Sequence, residues 1–155
     1  MDTPYDAATA YHEAGHAVMA MSLDRPIHRI SVLPSRQFLG VCVFRKGVFR
    51  PSKDWLEQEI LISLAGLAAE AIHTGSYALE GAARDLRHVH ELAVRRAGDR
   101  QAERLTQRLL AKAENILGDE GHWRAVELIV AELLRLGTIS GRAAHHLFQQ
   151  GIDVC

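Results

Sequence analysis

Residues 10–18 read Ala-Tyr-His-Glu-Ala-Gly-His-Ala-Val and contain an HExxH motif formed by His12, Glu13 and His16. Side chains four residues apart lie on the same face of a helix, so both imidazoles can bind one metal ion. Glu13 follows His12 by about 100° around the helix, which puts its carboxylate beside the metal, where a general base can take a proton from water. The motif therefore predicts a zinc hydrolase with His12 and His16 as metal ligands and Glu13 as the general base.

The alternative is that these are ordinary helix histidines, because nine histidines in the chain make a chance HExxH string more frequent. The motif, however, lies in a predicted amphipathic helix and is accompanied by the small residues Ala14, Gly15 and Ala17. Small side chains would let a metal site and a neighbouring helix approach closely. This context favours the metal-site interpretation.

The third metal ligand is not decided by spacing. A catalytic zinc usually has three protein ligands and one open position. The longer HExxHxxGxxH pattern is absent, because Met19 and Ser22 stand where its glycine and third histidine would be. The residues that could supply the ligand are Glu70, His73, Asp85, His88 and His90. Asp85 follows a glycine-containing loop in the first turn of a predicted helix, where an acid also suits the helix dipole.

The hydropathy pattern predicts a mainly α fold, with one domain spanning residues 1–155 and a small two-stranded β element packed on the zinc-site helix. The first helix is predicted to start with Thr3 as N-cap, Pro4 at the first helical position and Asp6 as the capping-box acid. Strands are predicted over 27–33 and 39–44, close enough in sequence to form a hairpin.

Later segments predict further helices that end at glycines or begin at capping residues. Their ranges are 52–75 with Ser52 as cap, 82–97, 100–117, 120–136 and 140–150 with Ser140 as cap. A two-stranded hairpin is not stable alone, so it must pack on these helices.

Composition and charge exclude several classes of protein. The chain is 48% hydrophobic and 24% charged, with a formal net charge of −1, which is typical of a globular domain and unlike a protein built to grip nucleic acid. The sequence contains no run of about 18 apolar residues, so no transmembrane helix is predicted. Cys42 and Cys155 form neither a disulfide framework nor a CxxC pair, so a reducing, cytoplasmic location is expected.

Arginines recur along the third and fourth predicted helices. They are Arg84, Arg87, Arg95, Arg96, Arg100, Arg104 and Arg108. A nucleic-acid surface is conceivable, but the intervening acids Glu91, Asp99 and Glu103 favour a solvated charged face.

Several blocks of the sequence resemble the peptidase domain of the FtsH family. Residues 10–18 resemble the family's zinc-site helix, and residues 26–34 with Leu39-Gly40 resemble its strand and the Leu-Gly that follows. Residues 64–70 resemble its Gly-Arg-Ala-Ala-Glu helix, and residues 81–86 resemble its Gly-Ala-x-Asn-Asp-Leu segment. Residues 137–141 resemble the turn before its last helix. Their common order across nearly the whole chain is far more specific than HExxH alone.

The resemblance implies a mostly helical metallopeptidase domain in which Zn²⁺ is held by His12, His16 and Asp85, with Glu13 as general base. It also suggests that Glu70 hydrogen-bonds a ligating histidine, the usual way in which a ligand tautomer is fixed.

Two positions depart from the family pattern. Arg84 stands where the family has an asparagine before the aspartate, and Leu67 stands where it has an arginine after the helix glycine. Both changes leave the implied ligands intact and alter only their surroundings.

FtsH proteins carry a membrane anchor and an AAA ATPase ahead of the peptidase, whereas this sequence starts immediately before the zinc-site helix and contains no GxxxxGK[ST] motif. We therefore expect ATP-independent hydrolysis of peptides or unfolded protein, with no nucleic-acid partner. A separate ATPase or a homo-oligomer is the expected type of partner. A non-catalytic adaptor is the alternative, although a purely structural zinc site would have no use for Glu13.

The second predicted strand is a candidate substrate-binding element, through Leu39, Gly40, Val41 and Cys42. An extended peptide can add to an exposed sheet edge by backbone pairing, which tolerates many sequences. A protected structural hairpin is an equally weighted alternative.

Overall fold

The structure is a computed structural model that describes residues 3–33, 41–44, 53–79 and 82–153. Within these ranges the elements are, in chain order, α1 (Ala7–Ser22), β1 (Ile27–Ser31), β2 (Val41–Phe44), α2 (Lys53–Thr74), α3 (Ala83–Ala97), α4 (Ala102–Gly118), α5 (Glu120–Leu136), β3 (Thr138–Ser140) and α6 (Gly141–Ile152). The predicted mainly α class with a small antiparallel β element is confirmed.

The first helix begins later than predicted, because Asp6 and not Thr3 is its N-cap. Asp6 has an extended backbone, and its carboxylate accepts hydrogen bonds from the N–H of Thr9 at 2.9 Å and from the Thr9 hydroxyl at 2.6 Å. The Thr3 hydroxyl instead donates to the carbonyl of Leu134 at 2.7 Å, which ties the N-terminal segment to α5. The prediction of Thr3 as N-cap was wrong: the Thr3 hydroxyl accepts from the N–H of Tyr5 at 3.3 Å, and Tyr5 precedes the helix, which starts at Ala7.

Removing the Asp6 side chain should lower the stability of the protein measurably. Asp6→Ala should lower the free energy of unfolding by about 1 kcal/mol, whereas Asp6→Asn, which can still accept from Thr9, should cost much less. The Thr9 hydroxyl lowers the pKa of Asp6 below 3.8, so the cap contributes fully above that pH and loses strength as the pH falls through the lower folded value. Urea denaturation of the three proteins checks this, and equal losses for Ala and Asn would contradict it.

The other helix boundaries lie close to the predicted ones. The ends at Gly98 and Gly137 have φ values of 84° and 81°, a region that favours glycine. Asp119 and Ser140 cap α5 and α6 by accepting a backbone N–H three residues ahead. The predicted cap Ser52 lies outside the described residues. None of the described helices is both long and apolar enough to span a membrane.

The predicted hairpin is part of a larger sheet with strand order β2-β1-β3. On one side of β1, Ile30 is opposite Cys42 in an antiparallel pair, and on the other side it is opposite Ile139. We expected a turn over 137–141, so the third strand was missed. A strand of three residues is too short to show the alternation of polar and apolar side chains that identifies a strand.

The first two helices pack in close contact at the centre of the core. A Cβ placed on Gly15 would lie 2.5 Å from the Ala65 carbonyl oxygen and 2.6 Å from the Ala69 Cβ, so only a glycine fits this crossing. Ala14 and Ala17 on the same helix are fully buried. This close approach sets the HExxH segment of α1 directly against α2.

Candidate metal centre

The two histidines of α1 and the aspartate at the start of α3 converge on one point. Nε2 of His12 lies 2.8 Å from Oδ2 of Asp85, and Nε2 of His16 lies 3.2 Å from the same oxygen. The two imidazole rings are nearly perpendicular, with centroids 4.6 Å apart. Three polar groups from two helices thus meet where one cation could contact them all.

The other ring nitrogen of each histidine is held by an acceptor on α2. Nδ1 of His16 donates to the carbonyl oxygen of Ile62 at 2.6 Å, and Nδ1 of His12 contacts Oε2 of Glu70 at 2.7 Å. A carbonyl oxygen accepts only, so the Nδ1 of His16 carries the hydrogen and its Nε2 is available as a ligand. The Glu70 carboxylate favours the same arrangement for His12.

The geometry fits a zinc ion. Two imidazole nitrogens and a carboxylate oxygen are a donor set that zinc prefers, and ligands of a tetrahedral zinc lie about 3.3 Å from one another. Gly66 of α2 faces this point: a Cβ there would lie 2.5 Å from Nε2 of His16 and 2.7 Å from Nε2 of His12. The missing side chain of Gly66 therefore keeps space where the two nitrogens converge.

Glu13 is buried beside the two imidazoles, with only 6% of its surface exposed. One of its carboxylate oxygens lies within 4.8 Å of the potential ligand atoms of His12 and His16. Among the described contacts it hydrogen-bonds neither ring, unlike Asp85. Burial raises the pKa of Glu13, and the nearby histidines oppose that rise. This carboxylate is placed next to the converging ligand atoms and has an increased affinity for a proton.

The cluster attracts positive charge strongly. Burial alone would lower the pKa of His12, but its hydrogen bonds with Asp85 and Glu70 outweigh burial and raise the pKa to about 10. Burial acts to raise the pKa of Asp85, yet the hydrogen bonds from His12 and His16 bring it well below its usual range. Carboxylates surrounding two imidazoles create an environment that suits a divalent cation.

The residues considered for the third ligand position differ in their location. Asp85 contacts both imidazoles. The three histidine candidates, His73, His88 and His90, are exposed. His73 stacks on Tyr11 with ring centroids 3.8 Å apart. The structure therefore brings Asp85 to the two HExxH histidines and leaves these three on the surface.

The predicted substrate-binding strand is only partly within the described residues. Leu39 and Gly40 lie outside them, whereas Val41 and Cys42 belong to β2. Among the described strands β2 is at one edge of the sheet, because its only described neighbour is β1. Its role in substrate binding stays a prediction.

Sequence reasoning missed the roles of Gly66 and of the Ile62 carbonyl. A glycine inside a helix costs about 0.5–1 kcal/mol relative to alanine, so Gly66 within an apolar helical run was a signal of close approach. No signal could have identified Ile62, because every residue carries a backbone carbonyl and only the fold decides which one faces a histidine.

Comparison with known proteins places these residues within one family of peptidases. Residues 1–98 match peptidase family M41. The ATP-dependent zinc metalloprotease FtsH of Magnetococcus marinus is 38% identical over 89 residues, covering 55% of this chain and 13% of that protein. FtsH of Syntrophotalea carbinolica is also 38% identical over 89 residues, with 55% and 14% covered. FtsH 4 of Sorangium cellulosum is 32% identical over 92 residues, with 56% and 14% covered. The chain thus spans 13–14% of the length of these three relatives.

Proposed function

The chain belongs to peptidase family M41, and from this we propose that it is a zinc endopeptidase that hydrolyses peptide bonds in peptides or unfolded protein. The observation that carries the proposal is the contact of Nε2 of His12 and Nε2 of His16 with one Asp85 oxygen, at 2.8 and 3.2 Å. We assign zinc ligation to these three residues. We assign Glu13, which lies beside them without hydrogen-bonding either ring, the role of general base.

When bound, zinc supplies Lewis-acid chemistry: it polarises the scissile carbonyl and lowers the pKa of the attacking water. Glu13 accepts a proton from that water and later donates it to the departing amine. Its burial disfavours the charged carboxylate, which supports its uptake of the proton in the first step. Glu70 and the Ile62 carbonyl hold the two imidazoles in orientation through their Nδ1 atoms.

We further propose that hydrolysis at this site needs no nucleotide, because a metal, a water and Glu13 are sufficient for the chemistry. The relatives are named as ATP-dependent proteases, and this supports a second candidate: a peptidase that receives substrate from an ATPase. Homo-oligomerisation is compatible with both candidates. The two candidates differ in the substrates that they cleave without an ATPase, because only a folded substrate has to be unfolded first.

Zinc removal and nucleotide addition test this proposal. Protein loaded with one equivalent of zinc should cleave a reduced, unfolded protein at the same rate with and without ATP. A chelator should abolish cleavage, and one equivalent of zinc should restore it. Gel analysis of the products, with metal content measured in parallel, checks each step.

Two results would contradict the proposal. Cleavage that persists after verified removal of the metal would exclude a metallopeptidase. Failure of the zinc-loaded protein to cleave any unfolded substrate would exclude autonomous hydrolysis and favour a partner-dependent subunit or an adaptor.

A further inference from the structure

The last turn of α2 joins the candidate metal centre to the protein surface. Glu70, whose carboxylate contacts Nδ1 of His12, is followed by only four more helical residues, because α2 ends at Thr74. Residues 72–79 are all exposed. A helix end with few buried contacts opens more readily than the middle of a helix. The position of Glu70 therefore depends on how this end of α2 is held against α1.

A ring stack lies directly beside the contact of His12 with Glu70. The imidazole of His73 stacks on the phenol ring of Tyr11, with centroids 3.8 Å apart and planes at 11°. Tyr11 is the residue before His12 in α1, and His73 is three residues after Glu70 in α2. The stack and the hydrogen bond consequently join the same two stretches of helix.

Tyr11 is held by a third helix as well. Its ring is nearly parallel to the indole of Trp123 in α5, with centroids 5.7 Å apart and planes at 21°. Both side chains are half-buried and pack against the hydrophobic core. Aromatic rings in contact stabilise one another beyond the area that they bury. Tyr11 is therefore a fixed surface, and His73 is its exposed partner at the end of α2.

We propose that His73 is a positioning residue for the metal centre. Its stacking on Tyr11 holds the last turn of α2 against α1 and so keeps the Glu70 carboxylate on Nδ1 of His12. Glu70 in turn orients the imidazole that binds the metal. This role rests on the zinc ligation proposed above for His12, and it requires a flat ring at position 73 but no metal-binding nitrogen there.

Zinc affinity, measured by competition with a chelating dye, is the first test. His73→Ala should weaken it by about three- to tenfold, because loss of an aromatic pair lets conformations without the Glu70 contact compete, and affinity falls with the competent fraction. His73→Phe keeps a flat ring, so its affinity should stay within about twofold of the parent protein. The control is His145→Ala, an exposed histidine in α6, which should also stay within about twofold.

A double variant tests whether the effect passes through the stack. Tyr11→Leu removes the other ring and should also weaken zinc binding. Once that ring is absent, the further change His73→Ala has no stack left to break. The double variant should therefore bind zinc no more weakly than Tyr11→Leu alone.

NMR of the metal-free protein with ¹⁵N-labelled histidine tests the same role without zinc. The Nδ1 proton of His12 should exchange with water faster in His73→Ala than in the parent protein or in His73→Phe, because its acceptor Glu70 is held less firmly. If the parent protein bound no zinc, the proposed function would fail, whereas this comparison would still decide the role of His73.

Two results would overturn the proposal. In the first, His73→Ala lowers the Tm but changes neither zinc affinity nor proton exchange at His12, which would make the stack a purely stabilising contact. In the second, His73→Phe is as impaired as His73→Ala, which would show that the imidazole nitrogens and not the stacked ring are required.

Discussion

Replacement of Glu13 by glutamine should lower kcat/KM for peptide hydrolysis by about 10²–10⁴-fold while the protein retains one zinc ion. Glutamine has nearly the same shape as glutamate but cannot accept and return a proton. The atoms assigned to the metal, Nε2 of His12 and of His16 and the carboxylate of Asp85, are left unchanged. Loss of activity without loss of metal is the signature of a general base.

The measurement compares initial rates on one unfolded substrate at equal zinc content. Glu120→Gln is a matched control, because it neutralises a carboxylate whose side chain is 90% exposed at the start of α5. It should keep full activity. A Glu13→Gln protein with zinc bound and activity within severalfold of the parent would contradict the assigned role, and an adaptor would be indifferent to the change.

Replacement of Gly66 by alanine should weaken zinc binding by about 10–100-fold, the range that follows when groups that orient metal ligands are disturbed. The added Cβ would lie 2.5 and 2.7 Å from the two Nε2 atoms that we assign to the metal. These rings cannot move away freely, because their Nδ1 atoms are held by the Ile62 carbonyl and by Glu70. Helix propensity alone would make the same change favourable by about 0.5–1 kcal/mol, so the two effects have opposite signs.

Gly118→Ala is the control for Gly66→Ala. Gly118 is also helical, but a Cβ there meets nothing within 4 Å. Its zinc affinity, measured by competition with a chelating dye, should equal that of the parent protein, and its Tm should not fall. Parent-like zinc affinity in Gly66→Ala would show that the metal does not bind where the imidazoles converge.

The sequence was sufficient to predict most of the helical framework because the signals involved are local. The apolar period of 3.6 residues identified the helices, and Gly98 and Gly137 marked two helix ends because glycine tolerates the positive φ found at both. The i, i+4 spacing of the histidines likewise required only a helix to put both rings on one face.

Features that depend on tertiary contacts were harder to predict from the sequence. Thr3 and Asp6 both satisfy capping preferences, and only the structure shows that Asp6 is the one that accepts from the first turn of the helix, at the N–H of Thr9. Spacing could not choose a third ligand, because Asp85 approaches the imidazoles through the packing of α3 and not through its distance in sequence. The third strand exists only because residues 138–140 lie alongside β1.

The proposed function depends on one zinc ion held by His12, His16 and Asp85. The most direct test is anomalous diffraction at the zinc absorption edge from crystals of the protein loaded with one equivalent of zinc. We predict one strong peak about 2.0–2.2 Å from Nε2 of each histidine and from the Asp85 carboxylate. A peak ligated by Glu70 or by His73 in place of Asp85, or no peak between the two HExxH histidines, would contradict the claim.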